Sequence, residues 1–214
     1  MFISEDLDPE ALKNEANIKW KEGNMEEANL IWRQALKECI KYSMRGIPTN
    51  KNRDMQISLR LNLSLYHYKK KEYSDCINQC NIIIDNLINL NEMLEHYNMG
   101  DEETNKKENN ILSDNKSDNI SDNISDNEKD KSNDNLREKK YIIKKDILIK
   151  IFLRRASSFL CLQEFNKCNE DLDIIKKLEN DDVEAAILEK KMIIEKKDYE
   201  RKQKELYKKM CNSK

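Results

Sequence analysis

The sequence predicts an all-α chain of stacked helix pairs, closed by one further helix and interrupted by a disordered insertion. Three observations predict it. Only 3 Gly and 2 Pro occur in 214 residues, too few to turn the many short strands of a β sandwich. Apolar residues recur three and four apart on both sides of a central polar tract, which is the helical period. The tract itself is of low complexity: over 113–128 it reads SDNK, SDNI, SDNI, SDNE, and it draws on an unusual total of 26 Asn.

The elements follow in order. Asp8-Pro9-Glu10 is a helix start, with a capping side chain, a proline whose missing N–H costs nothing there, and an acid in the first turn. Helices are predicted over 9–22 and 25–44, joined by a turn at Gly23-Asn24, and Pro48 closes the pair. A second pair is predicted over 53–70 and 74–97. Residues 99–139 then carry almost no apolar content, and 101–140 hold 12 acidic against 8 basic residues. Such a segment buries too little apolar area to offset its ordering entropy, so it is predicted to be disordered. A third pair follows over 141–163 and 166–178. Asp181, with Glu184 three residues on, reads as a capping box that opens a last helix to about 210. That makes seven helices, in a layout of 9–97, the insertion 99–139, a third pair within 140–179, and a closing helix at 181–210.

Charge and composition exclude several classes of function. A net charge of −2 gives no global attraction for nucleic acid. No run approaches the roughly 18–20 apolar residues of a membrane span, and MFISEDLDPE lacks the basic-then-apolar order of a signal peptide. The chain is therefore expected in the cytoplasm, as a monomer, with its 6 cysteines as reduced thiols. Gly23, Gly46 and Gly100 are isolated, so no phosphate-cradling loop exists, and His67 and His96 have no nucleophile at a useful spacing. Catalysis is not expected, nor is a cofactor. Cys76 and Cys80 are four apart on a helix, but a zinc site needs further ligands. They are read as packing residues, as are Cys161 and Cys168.

Aligned on their turns, the three pairs show a repeat. Residues 16–36 read ANIKWKEGNMEEANLIWRQAL, 64–84 read SLYHYKKKEYSDCINQCNIII, and 156–176 read ASSFLCLQEFNKCNEDLDIIK. A small residue opens each block at Ala16, Ser64 and Ala156. Another follows twelve places on at Ala28, Cys76 and Cys168. Then come Trp32, Cys80 and Leu172, and finally Ala35, Ile83 and Ile175. Small side chains let two helices cross closely, and larger ones fill the groove to the next pair.

This pattern resembles the tetratricopeptide repeat (TPR) family. The resemblance implies an α-α superhelix of three TPR pairs with a capping helix, whose concave face is lined by the first helix of each pair. The closing proline of the family is absent from all three, and the spacings of Ala28, Cys76 and Cys168 exceed the family period of about 34 residues. The helix at 197–210 is similar to the closing helix of immunophilin TPR domains, and Val183, Ala186 and Ile187 are expected to cover the third pair.

Five residues at expected places of the first helices carry a further resemblance. Lys13 and Asn17 lie in the first pair, Asn62 in the second, Lys150 and Arg154 in the third. Each set of two is four apart, hence on one helix face. Together they resemble the carboxylate clamp of chaperone-binding TPR proteins. The resemblance implies a co-chaperone or adaptor that binds the C-terminal Glu-Glu-Val-Asp tail of the cytosolic 70-kDa or 90-kDa heat-shock chaperones. The chemistry agrees: Lys, Arg and Asn donors around a terminal Asp make charge-assisted hydrogen bonds worth about 1.5–3 kcal/mol each before ordering costs. Two rival readings are a TPR scaffold for an unrelated peptide, and a non-catalytic subunit of an isomerase or phosphatase assembly. Arg155, next to Arg154, leaves the register of the third set open by one residue.

Overall fold

The computed structural model describes residues 7–46, 49–100 and 140–212, with backbone only at 98–100. Pro48 and nearly all of the predicted insertion, including its SDN repeat, lie outside the described residues. Among the described residues the chain is all-helical. Its α-helices are α1 (Pro9–Lys21), α2 (Met25–Met44), α3 (Asn50–Lys69), α4 (Tyr73–Ile82), α5 (Leu90–Gly100), α6 (Lys145–Cys161), α7 (Phe165–Leu178) and α8 (Val183–Asn212). No described helix is long and apolar enough to cross a membrane.

The helix starts follow side-chain chemistry. Asp8 caps α1 as predicted, accepting from the N–H groups of Glu10 at 3.0 Å and Ala11 at 3.3 Å. Thr49 caps α3 by accepting from Asn52 N–H at 3.1 Å, which starts the helix three residues before the predicted 53. At α8 the cap is Asp182, which accepts from Ala185 N–H at 2.7 Å. The predicted Asp181–Glu184 box is thus displaced by one residue.

The three hairpins α1–α2, α3–α4 and α6–α7 share one turn. Gly23, Lys71 and Gln163 occupy its left-handed position, with φ of 87°, 62° and 61°. In each, the next N–H reaches back five residues at 2.9 Å: Asn24 to Lys19, Glu72 to His67, Glu164 to Phe159. This pairing satisfies carbonyls that the ending helix leaves orphaned. The turns stand in the same register relative to the repeat pattern. All twelve pattern residues are buried, none more than 2% exposed.

The hairpin helices and the closing helix pack in chain order, α1 on α2, α2 on α3, α3 on α4, α4 on α6, α6 on α7 and α7 on α8, while α5 packs on α7. The first helices of the hairpins also touch, α1 on α3 and α3 on α6. One apolar cluster centres on Trp32, Leu59 and Leu63, and another on Phe152, Leu148 and Leu172. Because α3 gives Leu59 and Leu63 to the first and Ile57 to the second, it joins them.

Two predicted helices are shorter than expected. The helix predicted over 74–97 breaks. After α4 comes a π-helical turn (Ile83–Leu87), then Ile88 in extended conformation, and Asn89 receives Glu92 N–H at the start of α5. A run of β-branched isoleucines lowers helix propensity here, and an Asn favours a cap over an interior place. The helix predicted from 141 begins only at Lys145. Residues 140–144 before it have no regular secondary structure and are held by the Tyr141 hydroxyl on Asp54 and by Arg53 over the Tyr141 ring at 4.6 Å. The Tyr97 hydroxyl donates to the Ile143 carbonyl. The chain before the insertion is thereby tied to the chain after it, ahead of the helix that carries Lys150 and Arg154.

The closing helix covers its neighbours with a different face from the predicted one. Ala185 and Met192 are buried, whereas Val183 is 69% and Ile187 62% exposed, and Ala186 is exposed too. The Asp182 cap sets the start of α8, and 185, 188 and 192 are the three- and four-residue spacings that face α6 and α7. Cys161 also differs from expectation: it is exposed at the end of α6, while Cys76, Cys80 and Cys168 are buried.

Candidate functional site

The five predicted binding residues lie on α1, α3 and α6, the first helices of the three hairpins, with α3 in contact with each of the other two. Asn17 and Asn62 meet directly. Asn62 Nδ2 donates to Asn17 Oδ1 at 3.2 Å, and the same oxygen accepts from Trp32 Nε1 at 3.1 Å. Both lone pairs of the Asn17 carbonyl are thus used internally, and it has N–H groups left to offer. Asn62 is buried at 5% exposure and Asn17 is half-buried.

Arg154 comes to the same stretch of α3 from the other side. Its Nη1 donates to the Leu61 carbonyl at 2.7 Å and to Ser64 Oγ at 3.2 Å. Ser64 Oγ in turn donates to the Leu61 carbonyl at 2.8 Å. Leu61 and Ser64 flank Asn62 in sequence, so Arg154 and the amide pair engage the same turn of α3. Burial pulls the Arg154 pKa down from the usual arginine value. An arginine starts so high that it remains charged.

Behind Arg154, Ser158 Oγ donates to the Arg154 carbonyl at 2.9 Å and lies 3.1 Å from Cys76 Sγ. A hydrogen bond from Cys80, and then Ser158 and the nearby Arg154 charge, hold the Cys76 thiol below its ordinary value against burial. Cys80 is pushed well above it, first by that same hydrogen bond and then by burial.

Lys13 and Lys150 join the site by helical register, one turn before Asn17 and Arg154 respectively. Their surroundings differ. Lys13 is buried at 6% exposure and already engaged, whereas Lys150 is exposed.

Arg155 is removed from the site. Its Nε and Nη2 grip Asp171 on α7, and its Nη1 reaches Asn81 at 2.8 Å. Of the two adjacent arginines, Arg154 is thus the one that lies against α3. Nothing in the spacing distinguishes two adjacent arginines; the acid opposite Arg155 lies on another helix.

Two features escaped the sequence reading. Trp32 reads as a core residue by its spacing, yet its indole N–H orients Asn17. His67, Glu72 and Asp75 also form a group of metal-ligand types at the α3–α4 turn. There His67 Nδ1 meets Glu72 Oε2 at 2.6 Å and its Nε2 meets Arg33 Nη2 at 3.2 Å. Both ring nitrogens are in use, and the guanidinium repels a cation. The two acids are accounted for by the α4 N-terminus, where negative charge is favourable.

A scan against protein-family models finds no match for this chain, and a search of the curated proteins finds none either.

Proposed function

We propose that the chain is a TPR-type co-chaperone or adaptor of the cytoplasm, which captures the free C-terminal carboxylates of an acidic chaperone tail ending Glu-Glu-Val-Asp. The observation that carries this reading is the junction on α3. There the Asn17–Asn62 amide pair and the Arg154 guanidinium converge from α1 and α6 on residues 61–64. Three hairpins with one turn geometry and twelve buried pattern positions support the TPR architecture.

In this reading Arg154 keeps Nη1 on α3 and turns its remaining N–H edge to the ligand. Lys150 adds an exposed charge one turn away, and the amides supply neutral donors. Lys13 contributes by exchanging its present interactions for the carboxylate. The ligand is a tail of the 70-kDa or 90-kDa heat-shock chaperones.

The test is fluorescence anisotropy with a labelled peptide ending Met-Glu-Glu-Val-Asp, as free acid and as C-terminal amide, at two salt concentrations. The expected result is binding of the acid alone, weakened by salt and lost on Lys150→Ala with Arg154→Ala. Equal binding of acid and amide, or none by a folded sample, overturns it.

A further inference from the structure

An indole nitrogen is a donor and never an acceptor. The atom opposite Trp32 Nε1 at 3.1 Å must therefore be the oxygen of the Asn17 amide, not its nitrogen. This matters because the two ends of an amide are nearly alike in shape, and only its partners decide which way it faces. Once Asn17 presents its oxygen inward, the group that meets it from Asn62 at 3.2 Å must be a nitrogen. One buried N–H thus orients two asparagines on two helices in sequence. The hydrogens left over are both of those on Asn17 Nδ2 and the second on Asn62 Nδ2.

We propose that Trp32 is a positioning residue for the groove: its indole N–H holds Asn17 and Asn62 as donors, so that the site takes an anionic acceptor such as a carboxylate. The proposal rests on the clamp reading above and adds the residue that sets its polarity. Trp32 is 2% exposed on α2 and touches no ligand itself. A phenylalanine in its place keeps an aromatic ring against Trp20, whose ring centroid lies 5.3 Å away, but frees the Asn17 amide to turn over. A turned amide offers its oxygen to the carboxylate, which is repulsive.

The experiment uses the full chain labelled with nitrogen-15. It contains 2 Trp, hence two indole N–H signals. The free-acid peptide is expected to shift the Trp32 signal, although that nitrogen is buried, and the amide peptide is not. Trp32→Phe is expected to weaken the acid peptide about tenfold, in line with loss of one oriented hydrogen bond. It should also narrow the preference for acid over amide. Trp20→Phe, as the packing control, is expected to leave that preference intact. Adding Asn17→Ala to Trp32→Phe is expected to cost little more than Asn17→Ala alone, because the two act through one group.

If the unaltered chain binds no free acid, the clamp and this proposal fall together. If it binds, and Trp32→Phe keeps the full preference for acid, only this proposal falls. Should Trp32→Phe fail to fold, the indole signal decides: a Trp32 peak that stays still at saturating acid peptide overturns the proposal.

Discussion

Arg155 and Asp171 join α6 to α7 through two hydrogen bonds, Nε to Oδ2 at 3.0 Å and Nη2 to Oδ1 at 2.6 Å. Asp171 is 1% exposed, and burial pushes its pKa up while the guanidinium works against that. Arg155→Met leaves a buried carboxylate without its partner, a change that typically costs about 3–5 kcal/mol. Denaturant unfolding is expected to show a loss of that order, and Arg155→Met with Asp171→Leu to recover most of it. Arg154→Ala is expected to have the opposite profile, losing the acid peptide while the fold persists. A large loss of peptide affinity in folded Arg155→Met would reverse the assignment of the two arginines.

The shared hairpin turn makes its own prediction. Lys71 and Gln163 sit at φ near 60°, where a Cβ costs roughly 1–2 kcal/mol. Lys71→Gly and Gln163→Gly are each expected to raise stability by about 1 kcal/mol, read as a higher denaturation midpoint at unchanged slope. Gly23→Ala is expected to lower it by a similar amount. Nothing lies within 4 Å of a Cβ built there, so backbone strain alone is at work.

Thiol reactivity is expected to separate by burial. Burial pushes the Cys39 thiol up to about 11 and Cys168 up to about 12. Cys161 and Cys211 are exposed. Since the thiolate is the reactive form, iodoacetamide at pH 8 is expected to label Cys161 and Cys211 well before Cys39 and Cys168. Mass spectrometry of a time course checks this. Early labelling of Cys168 would contradict its place in the core.

Glu26 provides a pH test at the contact between the first two hairpins. The Lys70 ammonium at 2.7 Å, and then the Tyr66 hydroxyl, hold its carboxyl below the usual value of 4.5. A lowered folded-state pKa means that its stabilisation is present above that value and is lost as the pH falls through the folded one. Acid unfolding of Glu26→Gln is expected to converge with that of the unaltered chain at low pH and to diverge above 4.5. In Lys70→Met, the Glu26 titration followed by NMR is expected to move upward.

The sequence by itself determined the helical class, the three hairpins, the Asp8 cap and the twelve buried pattern positions. These depend on local chemistry and on period: a capping carboxylate, a proline at the first helical place, and small or apolar residues at fixed intervals. It also placed Lys13, Asn17, Asn62, Lys150 and Arg154 on first helices. Tertiary structure decided which of them meet. The Asn17–Asn62 contact spans 45 residues and the Arg154–Leu61 contact 93, distances over which no helical period carries information. Only packing showed that Arg155 belongs to Asp171, that Trp32 orients an amide, and that α8 covers its neighbours with Ala185 and Met192. The physical reason is common to all three. A side chain's face follows from its own helix, but its hydrogen-bond partner lies on another helix, and the stacking alone sets which one.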